Sequence, residues 1–312
     1  MRSYRFIDWA TQGYLVTVAL LVFSLRGDAL SYWPWLLLAH SSAMGAIHGL
    51  VRATASGKAS PLLQFLREFY PILLYTGFYR ETELINALVG TPRLDPHLIR
   101  FEHQVFGYQP SVSFMNAAPQ IWLSELLYAA YFSFYLMVAG IPLWLWLRQP
   151  TALRHFVAVM SFVFYGCYLT YLFVPVIGPR LFFRNSPERS LYGELYGGIL
   201  PPGFPDSVSS GPFFQIVRFV YRTFEAGSAA FPSSHVAVAL TTLWFSWRYL
   251  RPIRWLHTLV AFLLCVSTVY GRYHYVIDVV AGILTAAILV PVGNWLYDRI
   301  DPRAGRATNA IH

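Results

Sequence analysis

Charge is scarce in this chain. Of its 312 residues only 12% are charged, against about a quarter in soluble domains, while 56% are hydrophobic. Too little polar surface exists to keep such a chain in water, so it reads as a membrane protein. Cysteine is scarcer still. Cys167 and Cys265 both lie inside apolar runs, which excludes a disulfide framework and a zinc ribbon. A small-x-small cleavage site is missing behind Arg2 and Arg5, so the first apolar run is expected to stay as a helix. Internal repeats and low-complexity tracts are also missing, and a single integral membrane domain over residues 1–312 is expected.

What is abundant is aromatic. Phe, Trp and Tyr make up 18% of the chain, with many Trp and Tyr at the ends of apolar runs, where an amphipathic ring suits the headgroup layer. Runs near the ~20 residues a bilayer needs lie at about 10–26, 31–51, 121–147, 155–177, 232–250, 254–271 and 275–297. An eighth, 68–90, starts apolar but meets Arg80, Glu81 and Glu83, which are costly at mid-bilayer. The fold expected is all-α: a polytopic transmembrane bundle of six to eight spans. Asp95 before Pro96 predicts an N-cap and first turn, with Leu98, Phe101 and Val105 at helical spacing on a short interfacial helix. Residues 178–230 form the longest polar stretch, with LPPGFP at its middle, and loops of that length are usually functional. The catalytic core is expected over about 120–297, with 1–119 as accessory spans and the interfacial helix.

The net charge of +8 is scattered over short loops rather than gathered on one face, so nucleic acid is not an expected partner. If 68–90 spans, thirteen of the twenty-three basic residues share one side, among them Arg2, Arg52, Arg148, Arg254 and Arg306. That side is cytoplasmic by the positive-inside rule.

Two stretches carry chemistry. In AAFPSSHVAVAL, residues 229–240, a Pro-Ser-Ser run and His235 open an apolar segment. Pro232 is expected to start the helix without wasting a donor, and small Ser233 and Ser234 to let an anion approach the amides of its first turn. In STVYGRYHYVIDVVAG, residues 267–282, His274 and Asp278 are four apart at the head of a helix and share one face. A carboxylate so placed fixes the imidazole tautomer and leaves the other nitrogen to attack. Taken alone, a polar pair satisfied inside the bundle explains it equally well. The two helix heads, however, lie on one membrane face, because a single span joins them. Arg180, just past the 155–177 span, and Arg272 converge on the same face, where guanidinium suits phosphate oxygens. Glu125 reads as an interfacial carboxylate. Tyr128, Tyr131, Phe132 and Tyr135 read as a packing face, and His97 and His103 as surface residues of the interfacial helix. His257 falls on the opposite side of the membrane.

FPSSH and RYHYVIDVVAG resemble the second and third signature motifs of the type-2 phosphatidic acid phosphatase superfamily, and GPR resembles a reduced first motif. Within it the chain is most similar to the inositol phosphorylceramide synthase branch, through GPR, the doubled serine, HYVID, and DPHLIRFEHQVFG followed by SELLYAAYFSFY. The resemblance covers roughly residues 65–297. It implies His274 as nucleophile held by Asp278, His235 as the acid for the leaving oxygen, and Arg180, Arg272, Ser233 and Ser234 as phosphate ligands. It implies a phosphohistidine intermediate and no metal or other cofactor. Three positions depart from the pattern: Phe173 stands where the superfamily has lysine, no proline follows Arg180, and Thr268 stands where the third motif has arginine.

The chain is therefore expected to be a lipid phosphatase or phosphotransferase. Its substrate would be a phospholipid, sphingolipid or polyprenyl phosphate, with a polyol as a possible acceptor and the bilayer as its medium. A hydrolytic phosphatase and a proton-coupled transporter are the alternatives. A metal site of His235, His274 and Asp278 would sit among repelling arginines, and the vanadium haloperoxidases that share the motifs are soluble. The catalytic face is expected on the extracytoplasmic side. Single cysteines at Pro150 and Pro205 test this: the second should react with an impermeant label from outside, and its reaction from the cytoplasm alone would reverse the topology.

Overall fold

A computed structural model describes residues 3–27, 30–89, 92–185, 190–198, 201–224 and 229–301; Arg2, Arg306 and Leu200 lie outside them. Among the described residues every regular element is helical. Five stretches are long and apolar enough to cross a membrane. These are α1 (Phe6–Ser24), the run Ile121–Arg148, α8 (Pro150–Phe173), the run Arg251–Tyr270 and α15 (Val276–Ile300). Beside them stand α2 (Trp33–Thr54), α3 (Pro61–Val89) and α13 (Ser234–Tyr249). The last has 16 residues, fewer than the ~20 of a full span.

The most buried of these, α8, is the axis. It carries apolar or aromatic residues on every face, from Leu153 to Tyr171, and packs against α1, α3, α13 and α15. A helix apolar all round belongs inside a bundle. The outer helices show the opposite pattern: Leu256, Leu259 and Phe262, then Ile283, Leu284 and Ile288, stand exposed, as lipid-facing residues must. The run Ile121–Arg148 is not uniform. A π-turn at Leu136–Gly140 separates α6 (Ile121–Tyr135) from α7 (Ile141–Arg148), directly before Pro142. Proline has no N–H to give the preceding turn, and a widened turn accommodates that loss.

The eighth apolar run is one unbroken 29-residue helix, α3. Its acidic end is paired: Glu81 lies 3.2 Å from His40 of α2, and Arg80 donates to the Thr223 carbonyl. The helix after it is α4 (Asp95–Phe106). Phe101 and Val105 are exposed, whereas Asp95, Ile99 and Glu102 are buried. Leu94, not Asp95, is the N-cap, so the Asp95 carboxylate is left for other amides. The polar stretch is built of short helices: α9 (Pro179–Asn185), α10 (Ser190–Leu195), α11 (Asp206–Ser209) and the amphipathic α12 (Pro212–Phe224). Cys167 and Cys265 are unbonded.

At the opposite end from these loops the first and third helices are fixed by a buried ion pair. Asp8, fully buried, accepts from both Nη atoms of Arg67, from the Tyr70 hydroxyl at 2.8 Å and from the Arg5 amide at 2.7 Å. Removing one partner of such a pair leaves a bare buried charge, at a cost of about 3–5 kcal/mol. Arg67→Ala should therefore lower the thermal midpoint in detergent sharply, and an unchanged midpoint would show that the pair is dispensable.

Candidate active site

The site forms where three chain segments meet through backbone contacts. Val176 accepts from the Ala230 amide at 2.8 Å, and the Ser233 amide donates to the Asp278 carbonyl at 3.0 Å. Gly178 has φ +83°, and a Cβ there would lie 2.6 Å from the Tyr273 carbonyl, so only glycine admits that approach. In the second turn of α15, a Cβ on Gly282 would lie 2.6 Å from the Ser233 carbonyl. The two histidine-bearing helix heads touch because Gly282 is bare, and the Arg180 loop reaches them because Gly178 is.

On this frame His274 Nε2 faces His235 Nδ1 at 3.4 Å, and His274 Nδ1 lies 3.4 Å from Asp278 Oδ2. Asp278 accepts from the Tyr275 amide at 2.9 Å and is fully buried. The turn carrying His274 hangs from Thr268, whose carbonyl accepts from the Tyr273 and His274 amides. Burial pushes the His274 imidazole down to about 4, partly offset by the Ala230 carbonyl. At neutral pH the ring is uncharged, with a lone pair to give. The order nucleophilic nitrogen, imidazole, carboxylate is the one that activates a histidine.

The start of α13 differs from expectation. The helix starts at Ser234 rather than at Pro232, with Ser233 as its N-cap, and the Ser233 hydroxyl accepts from the Val236 amide at 3.3 Å. The Ser234 amide donates to the Tyr171 hydroxyl at 3.2 Å. Two of the first three amides of α13 are thus engaged by the protein itself, and Ser233 serves the helix end. Ser234 faces a cavity beside His235.

Both arginines reach the site. Arg180 Nη1 donates to the Tyr273 hydroxyl at 2.9 Å, and its guanidinium lies over the rings of Tyr273, Tyr221 and Phe204. Arg272 has φ +61°, a conformation uncommon outside glycine. It donates to the carbonyls of Pro202 and Gly203 at 2.6 and 3.2 Å, with the Phe204 ring 4.9 Å away. The loop with the Pro-Pro-Gly-Phe run therefore lies on the arginine pair. Phe173, at the position where the resemblance has lysine, is 65% exposed, and Thr268 is fully buried below the His274 turn.

Tyr131 does more than pack. Its hydroxyl lies 2.9 Å from His235 Nε2 and hydrogen-bonds Tyr221, while its ring stacks between those of His235 and Tyr273. The i, i+3, i+4, i+7 spacing was visible, but spacing does not say which ring meets a histidine. Phe132 and Tyr135 of the same face line an apolar cavity of about 500 Å³ that runs to His235, with Tyr75, Tyr79 and Val138. Glu125 caps α12, accepting from the Phe213 and Phe214 amides at 2.7 and 3.3 Å. His97 is exposed on α4, and His257 bonds Ser246 and Thr242 inside the bundle. Among the described residues no group of three or more His, Cys, Asp or Glu is arranged to hold a metal ion.

A family model described as the PAP2 superfamily matches residues 96–292. No curated protein and no solved structure matches the chain. The matched stretch takes in α4, all three meeting segments and both histidines.

Because overpacking a tight crossing costs about 1–3 kcal/mol, Gly282→Ala should lower the thermal midpoint and push the two histidine-bearing heads apart. An unchanged midpoint would mean that the crossing has slack.

Proposed function

This chain belongs to the PAP2 superfamily, and from that premise we propose that it transfers a lipid-linked phosphate through a covalent intermediate on His274. The observation that carries the reading is the facing of His274 and His235 at 3.4 Å with Asp278 behind the first. His274 Nε2 attacks phosphorus, the bond to the leaving oxygen breaks, and its electron pair stays on that oxygen. Asp278 holds the positive charge that His274 gains. His235 supplies the proton: once protonated, its Nε2–H donates to the Tyr131 oxygen and its Nδ1–H points at the leaving oxygen. Neutral again, it takes the proton of the acceptor in the second half-reaction.

A phosphoryl group does not fit in a 3.4 Å gap, so the rings part as it enters. Arg180 and Arg272 take its oxygens, with Ser234 at the edge of the site and Ser233 acting through the helix end it caps. For Arg272 this is an exchange: phosphate oxygens replace the Pro202 and Gly203 carbonyls it now holds. The apolar cavity beside His235 suits the hydrocarbon part of the departing lipid.

Water or an alcohol can complete the cycle. Rings of Tyr131, Tyr221 and Tyr273 wall the site, and His274 is 3% exposed. A site that excludes water protects a reactive intermediate from hydrolysis, which favours a polyol or lipid alcohol as acceptor, in the manner of inositol phosphorylceramide synthase. The site is proposed to open on the extracytoplasmic face.

Purified protein in detergent should be given phospholipids and polyprenyl pyrophosphates, with and without a polyol (inositol) or a lipid alcohol (diacylglycerol or a ceramide), while free phosphate and new phosphate esters, soluble and lipid, are followed together. A new ester formed only with acceptor, soluble with the polyol and a phospholipid with the lipid alcohol, is expected, and His274→Ala should abolish it. Phosphate release that ignores the acceptor would make the chain a hydrolase. Turnover retained in His274→Ala would refute the mechanism.

A further inference from the structure

The segment DPHLIRFEHQVFG, residues 95–107, has no part in the mechanism above, yet its helix, α4, buries two carboxylates against the segments that carry Arg180 and Asp278. Asp95 and Glu102 are both fully buried. They are seven residues apart, two turns along one face and about 10 Å from each other. Asp95 is saturated: Oδ2 accepts from the Ile177 amide and Oδ1 from the Gly178 amide, each at 3.0 Å, and Oδ1 accepts also from the Tyr275 hydroxyl at 3.0 Å. The Leu94 amide donates to the Pro175 carbonyl beside them. Glu102 Oε1 accepts from the Ile277 amide at 3.2 Å, and Oε2 from Gln109 Nε2. One carboxylate thus grips the peptide two residues before Arg180. The other grips the amide next to Asp278, and Tyr275 joins the two by bonding Asp95 through its hydroxyl and Asp278 through its amide.

We propose that Asp95 and Glu102 are positioning residues that fix the Arg180 loop and the His274–Asp278 turn at one spacing, so that the phosphate-binding arginine and the nucleophile meet the same phosphorus. The inference rests on the reading of Arg180 and His274 given above. Neither carboxylate touches the reacting atoms; each acts through a backbone amide. An interfacial helix whose only task was to lie in the headgroup layer would have no reason to bury two acids.

Glu102 also makes the clamp sensitive to pH. It faces Asp278 of α15, Tyr275 ahead of it, Tyr196 after α10 and Gln109 just before Pro110. Burial, with the Asp278 charge, raises its carboxyl from 4.5 to about 7, against the pull of the Ile277 and Val276 amides. Gln109 Oε1 has no partner, and an amide flip would let it accept from the protonated acid. Both protonation states can therefore be held, but the ionised one grips the Ile277 amide more strongly. The stability sign is opposite: with the folded value above the unfolded one, the contribution of Glu102 is full below about 4.5 and is lost as pH rises through about 7.

The test uses full-length protein in detergent, the wild type, Asp95→Asn, Glu102→Gln and Glu102→Ala, with two readouts. Amide hydrogen exchange needs no substrate. Asp95→Asn should lose protection at 176–180 and Glu102→Ala at 275–279, with the rest of the chain unchanged. In turnover, a misplacement of about 1 Å costs on the order of a hundredfold. Asp95→Asn should lower kcat and kcat/KM together by about tenfold to a hundredfold, the pattern of an interaction lost only in the transition state. Wild-type kcat should rise through about pH 7, a limb that Glu102→Gln removes while restoring most of the rate lost in Glu102→Ala. Unchanged protection in those segments, or kcat and pH profile as in wild type for both conservative variants, would overturn the proposal. Should wild-type protein turn over no lipid phosphate, the functional reading fails. The exchange data then still decide whether α4 holds the two segments.

Discussion

Asp278 holds the site together by both of its ends. Its backbone carbonyl takes the Ser233 amide, which docks the head of α13 on α15, and its carboxylate takes the Tyr275 amide and stands behind His274. In a low-dielectric interior an unsatisfied polar group is expensive, so these bonds leave the two heads little freedom. Glycine at 282 gives the room for that contact, and glycine at 178 brings the Arg180 loop to the same level. Histidine, carboxylate and arginine come from stretches far apart in sequence. They share a site because a few backbone groups have one another as partners.

The constraint extends outward through helices that the bilayer itself requires. A deeply buried α8 supplies the axis, and its end leads into the Gly-Pro-Arg loop. The polar stretch after it, with no bilayer to fill, folds over the site as short helices. Its Pro-Pro-Gly-Phe loop puts two carbonyls on Arg272 and a ring beside both arginines. Those carbonyls keep the buried Arg272 cation paired, which avoids the cost of a bare charge; in the proposed reading, phosphate oxygens take their place.

Much of this was legible in the amino-acid sequence, and the reason is periodicity. Apolar runs of bilayer length announce the helices, and a histidine with a carboxylate four residues later on a helix head announces a shared face. What was not legible depends on contacts between distant segments. Tyr131 sits in a row of aromatics whose spacing fits packing equally well, and only the fold brings its hydroxyl to His235. Glu125 looked interfacial and is a cap for α12. In α4 the apolar spacing of Phe101 and Val105 was legible and both are exposed, whereas the burial of Asp95 and Glu102 on the other face was not, because it depends on amides from distant segments. The sequence could not show that the Ser233 hydroxyl takes the Val236 amide of its own helix end, while Ser234 faces the cavity beside His235.

The central claim is that His274 carries the phosphate between donor and acceptor. The direct measurement is mass spectrometry of protein quenched at alkaline pH within the first turnovers on a radiolabelled lipid phosphate. Phosphate on the peptide containing His274, discharged when acceptor is added, is the predicted result. Turnover with no phosphate on His274, or with phosphate on His235 instead, would contradict the account.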